Sequence, residues 1–189
     1  MSKKVKELLR ELEFAVYHEA GHAVAAYLMK RRFDKVSVKP CGQARGFLSF
    51  KGTLPLLKSI ERARINYQNC KTIDLLPEVV IAGGGFAAEV IISLNNGIIL
   101  DKQLIDNIIA RGARTDCRLI KAIGIHTTGG KDIGAVLCHA VGHAVELFRL
   151  PTNWRAVEAI AAELILRREI HYLNACKIMK RAMMDLTTP

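Results

Sequence analysis

The sequence predicts a mainly α fold with a small antiparallel β-sheet, and three observations carry that prediction. Half of the 189 residues are hydrophobic but only 6% are aromatic, a balance that favours a helical globule over a β-sandwich. Apolar residues recur at helical spacing through most of the chain. Strand-type residues gather in two short segments, Val36 to Val38 and Phe47 to Phe50, with Pro40, Gly42 and Gly46 between them. A chain of this length can bury a proper core as one domain over 1–189. Its main portion is expected at 1–150, with closing helices at 151–189.

Taken in order, residues 4–30 read as one proline-free helix closed by Lys30, Arg31 and Arg32, a basic cluster suited to a helix C-terminus. The two short strands follow and pair with each other. Residues 58–70 read as a polar helix. Residues 75–94 form an apolar helix, whose Gly83, Gly84 and Gly85 allow another backbone to come close. Asn95, Asn96 and Gly97 signal a turn. Helices then fit 101–123, 132–149, 153–168 and 170–185, punctuated by Gly129-Gly130 and by Pro151-Thr152-Asn153. No internal repeat or low-complexity segment interrupts them.

Several function classes are disfavoured. The first residues are charged and lack the apolar region of a secretory signal. The longest apolar run, Val79 to Leu94, is broken by three glycines and Glu89, and falls short of the roughly 20 residues that span a bilayer. A soluble, cytoplasmic protein without a membrane partner is expected. Five cysteines with no C-x-x-C spacing argue against a disulfide framework or a cysteine zinc knuckle. The net charge of +10 is spread thinly along helices and never interleaved with stacking aromatics. It reads as solvated helix faces, not as a nucleic-acid interface.

The chemistry lies in His18-Glu19-Ala20-Gly21-His22. Positions i and i+4 share a helix face, so both imidazoles can reach one ion, with the glutamate beside them. Zinc in such a site polarises a carbonyl and lowers the pKa of a bound water, and Glu19 is placed to take the proton. The flanking residues are small or apolar, including Ala15, Val16, Ala20, Ala23, Val24, Ala25 and Ala26. A helix apolar nearly all round is buried, and burying two histidines and a glutamate is costly unless they are paired or hold a metal.

A catalytic zinc needs a third protein ligand. On a continuous helix Asp116 shares a face with Ile109, Gly112, Ile120 and Ile123, where a carboxylate is out of place without a cation. Glu89 is in the same position among Ile81, Ala82, Gly85 and Ile92. Either could be the ligand, and the other a group that orients a ligand histidine. Periodicity does not rank them.

The segment Ala15 to Ala26, with its H-E-x-x-H, resembles the zinc helix of the FtsH peptidase domain, the proteolytic half of membrane-bound AAA+ proteases. Further stretches resemble that family in the same order: Lys35 to Gly46, Val80 to Val90, Gly112 to Asp116, and Trp154 to Ile170. The resemblance implies His18, His22 and Asp116 as zinc ligands, Glu19 as the catalytic base and Glu89 as a supporting residue. It also implies an FtsH-like helical fold with the H-E-x-x-H helix at its N-terminus. There are departures. No Walker A sequence is present, Cys41 stands where the family usually has arginine, and 51–72 aligns with nothing in it.

The expected function is therefore a zinc metalloendopeptidase, ATP-independent in this chain, acting on peptides or unfolded proteins. The rival is a non-catalytic zinc-containing binding or adaptor protein with a basic surface. A homo-oligomer or a separate unfoldase are the partners to consider. A strand at 35–39 or 46–50 offers an open edge to an extended substrate. His139-Ala-Val-Gly-His143 repeats the i, i+4 spacing with Ala140 in place of the glutamate. Its simplest account is a helix carrying two histidines near Glu146; a second metal site is the alternative. Cys117 adjoins Asp116 but faces elsewhere and is not counted as a ligand.

Overall fold

The computed structural model describes residues 3–40, 46–50, 76–110, 114–128 and 133–184. Its elements are α1 (Lys3–Leu28), β1 (Lys35–Ser37), β2 (Phe47–Ser49), α2 (Leu76–Asn95), α3 (Lys102–Ile108), α4 (Arg114–Thr128), α5 (Ile133–Arg149), α6 (Pro151–Arg167), β3 (Glu169–His171) and α7 (Tyr172–Met184). The chain is mainly helical with a small antiparallel sheet, as the composition implies. The polar helix predicted at 58–70, with Cys41, Cys70 and Gly129-Gly130, lies outside the described residues.

Four expectations change. The helix predicted over 101–123 is two elements, α3 and α4, and α3 runs into a wider turn at Ile109 and Ala110. Pro151 does not precede its helix but opens it, at a position where its missing N–H and fixed φ cost nothing. The basic cluster lies beyond the last turn of α1, where Lys30 takes a left-handed φ of 56° and ends the helix. The sheet has a third strand, β3, whose Ile170 and His171 were expected to open the last helix. Its three residues follow Arg168, which caps α6 with a φ of 64°. So short a segment leaves no alternation to read.

The strand order is β2-β1-β3, with Val36 facing Leu48 on one side and Ile170 on the other. Because β1 is paired on both sides, the open edge anticipated at 35–39 or 46–50 falls, among the described residues, to β2 alone of those two. β1 sits over α1 with Val36 and Val38 buried.

α2 is the centre of the fold. It is 20 residues long, and by length and composition it could cross a bilayer, which the interrupted apolar run did not suggest. Most of it is instead buried against α1, α4 and α5. α1 and α2 run antiparallel, since Arg31 pairs with Glu78 at one end and His18 meets Glu89 towards the other. Glycine permits this closeness. A Cβ at Gly21 would overlap the Gly84 carbonyl, and one at Gly84 would stand 2.8 Å from the Gly21 carbonyl oxygen. On the next face, a Cβ at Gly83 would stand 2.8 Å from the Ala140 carbonyl of α5. Each glycine of the triple therefore faces a different neighbour.

The main core joins α1 and α2 to Phe148 of α5, to Val157, Ile160 and Leu164 of α6, and to Met179 of α7. Two smaller clusters flank it. Ile120 of α4 packs with Val79, Ala82 and Ala140, while Leu104 and Ile108 of α3 pack with Phe86 and Val90. The Asn153 amide donates to the Leu147 carbonyl at 2.8 Å, tying α6 to the end of α5.

Since backbone, not a yielding side chain, lies against Gly21, Gly21→Ala is expected to cost about 1–3 kcal/mol in urea unfolding. Gly142, on the open face of α5, meets nothing within 4 Å of an added Cβ. There Gly142→Ala should stabilise by up to about 1 kcal/mol. Equal tolerance at both positions would contradict the α1–α2 contact.

Candidate metal centre

α1 carries His18, Glu19 and His22 within one turn, and all three are buried, at 6%, 7% and 7% exposure. The two imidazoles meet edge to face with centroids 4.7 Å apart. They pack on Gly85 of α2, where a Cβ would stand 2.6–2.7 Å from their atoms, so only glycine leaves the rings this room.

The outer nitrogen of each ring is committed. His18 Nδ1 donates to Glu89 Oε1 at 2.8 Å, and His22 Nδ1 donates to the Ile81 carbonyl at 2.6 Å. The Ile81 carbonyl has no proton to give, so His22 Nδ1 must carry one, and His18 takes the same tautomer when it donates to the Glu89 carboxylate. In the neutral rings the Nε2 lone pairs then face inward. There His18 Nε2 and His22 Nε2 lie 3.1 Å apart, and Asp116 Oδ2 from α4 lies 3.1 Å and 3.4 Å from them.

Three acceptors this close repel one another unless a cation lies among them, and protons or a metal ion can supply it. Ligand bonds of about 2.0–2.1 Å give a tetrahedral edge of about 3.3–3.4 Å, within a few tenths of the observed separations. His18, His22 and Asp116 thus form a group that could hold a metal, with the chemistry of an N,N,O zinc site.

Electrostatics follow the same geometry. Burial opposes charge on His18, but hydrogen bonds to Asp116 and Glu89 outweigh it and hold its pKa well above 6.5. His22 is raised in the same way, burial being overcome by Asp116. Burial would lift Asp116, yet the two imidazoles pull it far below the usual carboxylate range. Glu19 goes the other way. Desolvation raises its pKa despite the neighbouring histidines, and its Oε2 is buried without a hydrogen-bond partner among the described residues.

The structure brings every residue of the expected set to one place and separates the two carboxylates that periodicity left unranked. Asp116 reaches the inward nitrogens, whereas Glu89 touches the outward nitrogen of His18. Cys117 turns away and packs with the cluster of Phe86, Val90, Leu104 and Ile108. Three contributors escaped the sequence reading. The Ile81 carbonyl is backbone and leaves no residue signature. Gly85 was visible only as part of a glycine run. Gly46, at the start of β2, lies so close to Glu19 that a Cβ would stand 2.6 Å from its Cγ.

The chain is similar to a zinc metalloprotease. It is 30% identical over 145 residues to the ATP-dependent zinc metalloprotease FtsH of Ruminiclostridium cellulolyticum. That similarity covers 72% of this chain and 22% of the relative, so the chain spans about a fifth of that protein's length. No protein-family profile matches it.

Removing the Glu89 carboxylate leaves the His18 ring without its anchor, and Glu89→Gln should weaken zinc binding about 10- to 100-fold in a chelator competition. The raised imidazole pKa values set a pH dependence. The metal-free histidines must release protons to bind a metal, so zinc affinity should keep climbing with pH beyond the ordinary imidazole value of 6.5. With no metal added, the protonated pair stabilises the fold below the ordinary imidazole value of 6.5, and that contribution is lost as pH rises through the raised folded values. Urea unfolding of the metal-free chain against pH reads this directly; a flat profile would mean the rings are neutral there.

Proposed function

We propose that this chain is a zinc metalloendopeptidase in which His18, His22 and Asp116 hold the metal and Glu19 acts as the catalytic base. The observation that carries the reading is the unpartnered Oε2 of Glu19, buried beside three converged ligand atoms. A buried carboxylate left without a hydrogen bond is costly, and a proton to be shuttled gives it a use. Similarity to a zinc metalloprotease points to the same class.

Zinc bound here would supply Lewis acidity, polarising a peptide carbonyl and acidifying water. The remaining roles belong to the protein. Glu89 and the Ile81 carbonyl fix both rings with their Nε2 atoms inward. Glu19 Oε2 accepts a proton from the attacking water and returns it to the departing amine. Its raised pKa suits both halves of that transfer, because a carboxylate tuned upward is a better base near neutrality. Burial of the site excludes bulk water from the reacting groups.

The substrate we propose is an extended, already unfolded polypeptide. β2 is paired on one side only among the described residues, and its first neighbour Gly46 lies against Glu19. A chain with its own backbone groups free can add to that edge and present a carbonyl beside Glu19.

The decisive comparison is wild type against Glu19→Gln, both zinc-loaded, on unfolded casein. Cleavage should fall about 10²- to 10⁴-fold while zinc content stays the same. Wild-type rates in the variant would remove Glu19 from the mechanism. A zinc-loaded wild type that cuts nothing, and that unfolds when zinc is chelated, would make the metal a structural staple.

A further inference from the structure

α5 presents a second pair of histidines that the proposed peptidase does not use. Ala140, Ala144 and Phe148 bury one face of α5 against α2 and the core, with the Ala140 backbone fixed on Gly83. The opposite face carries His139 and His143, both exposed. Their rings meet with centroids 4.6 Å apart and planes at 69°, close to the 4.7 Å and 84° of the His18–His22 pair. Among the described residues neither ring has a hydrogen-bond or ion-pair partner, so their nitrogens are uncommitted. Gly142 between them adds no side chain, and a Cβ there would meet nothing within 4 Å, so the approach from solvent is open.

We propose that His139 and His143 form a solvent-facing bis-imidazole site for a late first-row divalent cation such as nickel, copper or zinc. Histidines four residues apart on a helix stand side by side, and the helix supplies the spacing without reorganisation. Imidazole suits these ions and disfavours magnesium and calcium, which prefer oxygen. With two protein ligands the remaining positions go to water, so binding is weaker and faster to exchange than at the buried three-ligand centre. The site needs no contribution from Glu146, which is already paired with Arg149 at 2.7 Å. It stands independently of the catalytic reading, because its ligands lie on another helix face.

The test is a calorimetric titration of nickel(II) into the full-length, zinc-saturated chain, a probe that does not oxidise the exposed Cys138 thiol. Wild type should bind one further equivalent. His143→Ala should weaken that binding by at least about tenfold, the loss expected when a site loses a ligand-level contact. Cys138→Ser should leave it unchanged. Both histidines are exposed, so circular dichroism of the variants should match wild type. Nickel binding that survives the combined His139→Ala and His143→Ala substitutions, or is abolished by Cys138→Ser, would overturn the proposal. Absence of a further equivalent in wild type would overturn it too.

Discussion

The contact on which the rest depends is backbone against backbone, where α1 crosses α2 at Gly21 and Gly84. Neither residue has chemistry of its own. Their lack of side chains lets two helices approach until the imidazoles of one rest on a glycine of the other. At that separation Glu89 and the Ile81 carbonyl come within hydrogen-bond reach of the two rings. A wider crossing would leave His18 and His22 buried with their outer nitrogens unsatisfied, at a cost of about 1–3 kcal/mol for each. The site's polarity is therefore tolerable only because the helix packing is so tight.

The histidines and Glu19 were legible in the sequence because the helix repeat fixes which side chains share a face. Asp116 was legible as a misfit, a carboxylate among apolar neighbours, but so was Glu89. One-dimensional spacing cannot tell a group that meets the inward nitrogen of a ring from one that meets the outward nitrogen, since the two lie on opposite edges of one side chain. Resemblance to the FtsH peptidase separated them on paper, and the ring geometry now separates them physically.

What stayed illegible has a common cause. β3 is three residues long and owes its strand geometry to pairing with β1, a partner more than 130 positions away. Nothing local announces it. The same holds for Gly46, whose closeness to Glu19 depends on where the sheet docks on α1. The division of 101–123 into two helices is likewise a tertiary matter that apolar periodicity does not encode, with Leu104 and Ile108 of α3 in one small cluster and Ile120 of α4 in the other.

That division has a consequence for how the centre can be adjusted. Two of the candidate ligands ride on the helix at the heart of the main core, while the third rides on α4, anchored through Ile120 to a satellite group of only a few side chains. A methyl gained or lost at Val79, Ala82 or Ile120 would shift α4 by fractions of an ångström without touching His18 or His22. The geometry of the candidate centre is thus a quantity the protein can retune from a distance, in small steps, by mutations that leave the chemistry-bearing residues untouched.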